Sequence, residues 1–119
     1  MGNDTLVSLR DKIRDFATAR DWEQFHTPKN LVMALSIEVA EIMEHFQWLS
    51  PQQSVALDAA KREEVSQEIG DVLIYLTRLA DVLGIDPVAA AESKIRLNAI
   101  KYPVEKSRGI AAKYTELDK

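Results

Sequence analysis

The sequence predicts an all-α protein, a helical bundle of four main helices, on three observations. All four prolines stand where a helix would begin or end. The stretches between them repeat apolar residues at three- and four-residue steps, the period of a helix face. Only four Gly and four Pro occur in 119 residues, too few for the many tight turns of a β-sandwich.

The first helix is expected over roughly residues 4–19, where Leu6, Leu9, Ile13 and Phe16 recur at helical spacing. Thr27-Pro28 opens the second, with the Thr oxygen as N-cap and Pro at the first helical position, where a missing N–H costs nothing. That helix runs to about Leu49. Ser50-Pro51-Gln52-Gln53 repeats the opening signal and adds Gln at the third helical position, a capping-box pattern for a short turn over 51–57. Asp58 offers the N-cap of a long helix reaching Leu83, after which Gly84 suits a left-handed C-cap. Asp86-Pro87 opens the fourth, which ends at Tyr102 because Pro103 disfavours helix for the residue before it. Residues 103–119 show weak periodicity and are expected as the C-terminal tail of one domain spanning 1–119.

Composition removes several function classes. Cysteine is absent, which excludes a disulfide framework, a thiolate metal site and a cysteine nucleophile together. A net charge of −4 and a pI near 5.2 argue against gripping a nucleic-acid backbone by bulk charge. Asp4, Arg10 and Asp11 interrupt any early apolar run, so no signal peptide is expected. No apolar stretch approaches the ~20 residues of a membrane helix. A cytoplasmic protein without membrane or nucleic-acid partners is the expectation. A chain this short leaves apolar surface uncovered unless it associates, so a homo-oligomer is expected too.

Four carboxylates stand where a bundle should be apolar. In the second helix Leu31, Leu35, Ile42 and Leu49 define one stripe, with Glu38 inside it, Glu41 beside it and His45 one turn further on. In the third, Val65, Val72 and Leu79 form a stripe that contains Glu68, adjoined by Asp71 and Tyr75. Most Glu-x-x-Glu pairs on helices are solvated surface, and Glu44, Glu63 and Asp81 are read that way. The apolar neighbours of Glu38, Glu41, Glu68 and Asp71 imply partial burial instead. Two carboxylates ~5 Å apart at an effective dielectric of ~20 repel by roughly 3 kcal/mol. A divalent cation relieves this more completely than protonation does, and an all-oxygen set favours Mg²⁺ or Mn²⁺ over zinc. A di-iron centre fails on composition: His45 follows Glu41 by four residues, not three, and the third long helix has no His. Mg²⁺ among oxygen ligands works mostly on phosphates, which points to phosphoryl or nucleotidyl chemistry.

The fourth helix carries Lys94, Asn98 and Lys101 in a narrow band, with Tyr102 nearby. Opposite an acidic metal cluster this reads as a polyphosphate clamp, Lys as point charge and Asn as donor. The alternative is a structural ion pair of Lys94 with Glu68 or Asp71. Trp22 and Trp48, the only two Trp residues, flank polar segments at helix margins and are stacking candidates for a nucleobase, with core filling as the rival reading. His26 is either a satisfied loop histidine or a partner for a base edge. Gly70 lies in a helix interior at a cost of ~1 kcal/mol, which suggests close helix packing there, at a subunit contact for example.

The paired words Glu38-Val-Ala-Glu41 and Glu68-Ile-Gly-Asp71, separated by residues 42–67, resemble the ExxE and ExxD motifs of MazG-like all-α nucleotide pyrophosphohydrolases. Arg20-Asp-Trp-Glu-Gln-Phe-His26, Phe46-Gln-Trp48, Asp71-Val-Leu-Ile-Tyr-Leu76, Lys101-Tyr-Pro103 and Lys113-Tyr-Thr-Glu-Leu117 are similar to its dCTP pyrophosphatase branch, a resemblance covering about residues 5–117. It implies Mg²⁺-dependent hydrolysis of a dCTP-type nucleoside triphosphate between the α- and β-phosphates, giving monophosphate and pyrophosphate, in nucleotide pool sanitation. Carried over by motif, Glu38, Glu41, Glu68 and Asp71 would hold the metal. Trp22, His26, Trp48 and Tyr75 would form the base and sugar pocket. Lys94, Asn98, Lys101 and Tyr102 would form the phosphate clamp. The resemblance also implies a homotetramer, a dimer of dimers. Glu38 is the candidate catalytic base, though no sequence feature separates it from Glu41. A non-catalytic helical interaction module and a phosphohydrolase of a non-nucleotide pyrophosphate are the alternatives.

Overall fold

Helix ends lie where side-chain oxygens and prolines put them. The computed structural model describes residues 5–117, among which there is no strand. Helix α1 spans Leu6–Ala19, capped by the Thr5 hydroxyl, which accepts from the Ser8 N–H at 3.0 Å. Asp4, the first residue of the predicted helix, lies outside the described residues, as do the last two of the tail. A 3₁₀ turn over Glu23–Phe25 leads to α2, Pro28–Phe46, where the Thr27 hydroxyl accepts from the Asn30 N–H at 3.2 Å. The short α3, Pro51–Ser54, is fixed by a reciprocal capping box: Ser50 Oγ accepts from the Gln53 N–H, and the Gln53 side chain accepts from the Ser50 N–H at 2.9 Å. Asp58 caps α4, Ala59–Val82, and Asp86 caps α5, Pro87–Lys101.

The short turn expected over 51–57 ends at Ser54, and two further differences from expectation have local causes. Helix α2 stops at Phe46 rather than Leu49, because Ser50 must be extended to cap α3 and residues 47–49 tighten into a turn, Leu49 N–H to Phe46 C=O at 2.9 Å. The tail is not featureless. It holds α6, Val104–Ser107, and a 3₁₀ turn, Tyr114–Glu116, whose Tyr114 ring meets Tyr102 edge-on at 6.1 Å between centroids.

The described residues divide into two compact units, one within Met1–Ile85 and one within Asp86–Lys119. In the first, α2 packs chiefly along α4, and α1 also packs on α4. Ile13, Ala17, Leu31, Val65 and Ala80 are its buried apolar residues, with Thr77 and Arg78 as buried polar ones. This core is small. Ile37, Met43, Ile69, Leu73 and Leu76 stay exposed on the same two long helices. A Cβ at Gly70 would meet nothing within 4 Å, so the close packing expected there is not an intrachain one among the described residues.

Both helices that border the site end in the same backbone device. After α1, Asp21 adopts φ 53°, and the Trp22 N–H donates back to the Ala17 C=O at 3.0 Å. After α4, Gly84 adopts φ 70°, and the Ile85 N–H donates to the Ala80 C=O at 2.8 Å. These are Schellman closures, with Asp tolerated in the left-handed region at the first and Gly free of cost at the second. The first turns Trp22 back over Phe16, ring centroids 5.6 Å apart.

Candidate active site

Glu38 and Glu41 stand one turn apart on α2, and Glu68 and Asp71 one turn apart on α4, the helix against which α2 packs. Glu38 registers all three of the others. Burial pushes its carboxyl above the ordinary Glu range, and the neighbouring Glu41 carboxyl adds to this by a hydrogen bond and by charge. The charges of Asp71 and Glu68 push in the same direction. Glu38 Oε2 and Glu68 Oε2 are buried without a hydrogen-bond partner. His45 Nε2 approaches Glu68 Oε2 to 2.7 Å, ion-pair distance, but out of hydrogen-bond alignment. Lys61 Nζ lies 3.2 Å from His45 Nδ1 and 3.4 Å from Glu64, so one cationic side chain reaches the edge of the acids. No three His, Asp or Glu side chains among the described residues already converge in cation-ligating geometry. The arrangement is an electronegative neighbourhood with two orphaned buried oxygens, and unpaired buried oxygens of this kind are costly.

Asp71 is more exposed than its stripe implied, and it belongs to a second feature. A cavity of about 270 Å³ lies among α1, the 21–27 loop and α4, and Phe16, Trp22, His26, Asp71, Tyr75 and Arg78 are among the residues lining it. Its walls are apolar and aromatic with a few polar groups, the make-up of a small-molecule site. Phe16 is half exposed, with the Arg20 guanidinium 3.6 Å over its ring. Trp48 does not join this group. It is 86% exposed, fills no core, and lines a separate cavity of about 380 Å³ with His45, Leu49 and Lys61.

In the second unit, Lys94, Asn98 and Lys101 follow one another at i, i+4 and i+7 along α5, with Tyr102 as its C-cap. Asn98 is half buried and its C=O accepts from the Tyr102 N–H at 2.8 Å. Lys101 Nζ sits 5.0 Å from the centroid of the Tyr114 ring.

Two further side chains depart from the sequence reading: Asp81 was read as a surface acid, and Arg78 beside it was not singled out. Asp81 is not a solvated surface acid like the exposed Glu44 and Glu63: its side chain is only 8% exposed. Arg14 grips both its oxygens, the Nε contact being 2.7 Å, and Arg78 Nη1 lies 3.3 Å away. The Arg14 hydrogen bond holds the Asp81 carboxyl below the usual carboxylate range, with the Arg14, Arg78 and Arg10 charges contributing. Arg78 Nε in turn donates to His26 Nδ1 at 3.0 Å. The signal for Arg78 was its spacing, three residues after Tyr75 and seven after Asp71, which puts a guanidinium on a face that turns inward.

A depressed carboxyl contributes stability that is present above its unfolded pKa of about 3.9 and is lost as pH falls through the lower folded value. Asp81→Asn is therefore expected to cost about 2 kcal/mol at neutral pH, discounted for the half-exposed Arg14 partner. The gap between variant and wild type narrows below about pH 4. Urea unfolding at pH 7 and pH 3 checks this; an equal gap at both would show that Asp81 acts through something other than its charge.

Known proteins resemble this chain along most of its length. A family model described as the MazG-like family matches residues 33–117. The rat protein dCTP pyrophosphatase 1 is 45% identical over 115 residues, covering 95% of this chain and 68% of the rat protein. Its human counterpart is 42% identical over the same length. The crystal structure of a pyrophosphatase from Archaeoglobus fulgidus superposes with a TM-score of 0.78 at 44% identity, covering 82% of this chain and 92% of that one.

Proposed function

The chain belongs to the MazG-like family, and we propose that the reaction it carries out is hydrolysis of dCTP, or a close cytidine relative, between the α- and β-phosphates. It is a nucleoside triphosphate pyrophosphohydrolase, as its relatives named dCTP pyrophosphatase are, yielding monophosphate and pyrophosphate. The observation that carries the site assignment is Glu38, half buried, with one buried oxygen left without a partner and three other acids around it. A donor set of oxygens alone, short of positive charge, fits a hard divalent cation, Mg²⁺ or Mn²⁺. Glu38, Glu41, Glu68 and Asp71 would hold it, and it would supply charge neutralisation for the polyphosphate.

The rest falls to this chain's own side chains. Glu38 takes a proton from the attacking water, its proton affinity raised by burial and by the neighbouring acids. Asp71 belongs both to the acids and to the cavity wall, so a base seated in the cavity has its phosphates near the carboxylates. Trp22 and Tyr75 offer the aromatic faces and His26 a polar edge, with the exposed Trp48 as a second stacking surface. Lys94, Asn98, Lys101 and Tyr102 serve as the phosphate clamp. The chain works as a homo-oligomer, a dimer or a tetramer, supported by the exposed Ile37, Met43, Leu73 and Leu76. It acts in the cytoplasm on the nucleotide pool and does not take nucleic acid as a partner; no described helix is long and apolar enough to cross a membrane.

The purified chain incubated with each triphosphate and Mg²⁺, with products resolved by ion-exchange chromatography, is expected to convert dCTP fastest and to release pyrophosphate. Release of orthophosphate, or no turnover of any nucleotide, would overturn the assignment.

A further inference from the structure

Four side chains from three parts of the chain form one line: Arg14 on α1, Asp81 and Arg78 on α4, and His26 in the loop before α2. Each link has a defined direction. Arg14 and Arg78 both donate to Asp81, and Arg78 also donates through Nε to His26 Nδ1 at 3.0 Å. Arginine has donors only and keeps its charge at any accessible pH. The ring nitrogen facing it must therefore offer a lone pair, which leaves the proton of a neutral imidazole on Nε2.

Both ends of this line are held. Arg78 is buried and its guanidinium is pinned on its other side by Asp81, itself gripped by the bidentate Arg14. The loop carrying His26 is tied by the His26 N–H to the Glu23 C=O at 3.1 Å and by Asn30 Nδ2 to the Phe25 C=O at 3.0 Å. Among the described residues Arg78 is the one side-chain hydrogen-bond partner of the His26 ring, and both residues line the cavity between α1 and α4.

We infer that Arg78 is a positioning residue that locks His26 as the neutral Nε2–H tautomer, so that the cavity offers the nucleobase edge a donor of fixed direction. The tautomer part stands on the geometry alone; the nucleobase part rests on the pyrophosphohydrolase reading. Chemically, a fixed donor sorts pyrimidines at one atom. Ring N3 of cytosine is an acceptor, whereas N3 of thymine or uracil carries a hydrogen and would face the donor unpaired. A buried polar site left unpaired by the wrong ligand discriminates strongly, more so than an apolar wall does.

The test uses long-range ¹H–¹⁵N correlation spectra of the two histidine rings in the full chain, with His45→Gln serving only to assign them. Wild type is expected to show His26 as a single Nε2–H tautomer, and Arg78→Met a mixture of both. Calorimetric binding of dCMP and dTMP reads specificity without turnover. Arg78→Met is expected to lower the preference for dCMP about tenfold, with Arg78→Lys restoring part of it through one remaining donor. Should Arg78→Met fail to fold, Asp81→Asn loosens the same guanidinium at similar volume and is read in the same way. A protonated or Nδ1–H ring in wild type would overturn the proposal, as would an unchanged tautomer in the variants. An unchanged dCMP to dTMP ratio after the tautomer is lost would overturn its nucleobase part. A chain that hydrolyses no triphosphate yet shows the locked ring and the shifted ratio would separate the two readings, refuting the hydrolase and keeping the locked tautomer.

Discussion

Glu68→Gln is expected to lower triphosphate hydrolysis at least about a hundredfold while leaving helicity intact. Gln keeps the volume of Glu and one carbonyl oxygen but gives up the negative charge that the acid neighbourhood contributes to a bound cation. Folding has little at stake. The substitution removes one of four mutually repelling carboxylates and, against that, an off-axis contact with His45, so stability is expected to change by no more than about 1 kcal/mol. Circular dichroism separates loss of fold from loss of site, and calorimetric titration with Mg²⁺ or Mn²⁺ should show weakened binding in parallel. Turnover within tenfold of wild type would remove Glu68 from the proposed cation site.

Leu31→Ala is expected to cost about 3 kcal/mol of folding stability. Leu31 is 2% exposed in the first full turn of α2, and it lines the cavity beside Ile13 and Ala17 of α1. With so few residues fully buried in this unit, a void there has few neighbours to close over it. Val55→Ala makes the contrast: Val55 is 86% exposed, and truncating it should change stability by less than about 0.5 kcal/mol. Urea midpoints measured at one fixed protein concentration are required, because association through the exposed apolar faces would add a concentration-dependent contribution. Equal losses at the two positions would mean that Leu31 is not the packing centre its burial indicates.

Much of the fold was legible because helix ends are local. Thr27, Ser50, Asp58 and Asp86 each cap the helix they were expected to cap, since an N-cap bond spans two or three residues and needs no tertiary partner. The length of α2 was overestimated by the three residues 47–49, because two signals compete there: apolar periodicity continues to Leu49, yet Ser50 must leave the helix to cap the next. The acid pairs were legible for a related reason. A period of 3.6 residues placed Glu38 and Glu68 among apolar neighbours, and that placement marks a carboxylate whose burial needs an explanation.

Local chemistry therefore accounts for what one helix decides alone: its start and stop, the face it presents, and which acids lie on that face. Tertiary structure decided the contacts made across helices. Asp81 follows Arg78 at a spacing common on solvated helix faces, and nothing local revealed that Arg14, on another helix, would close over it. Trp48 and Trp22 read alike as aromatics at helix margins, yet only Trp22 is folded back, by the left-handed Asp21, onto a cavity wall. The physical reason is range. Capping and periodicity act within a few residues, whereas the direction in which a guanidinium donates depends on which chain segments packing brings to its other side.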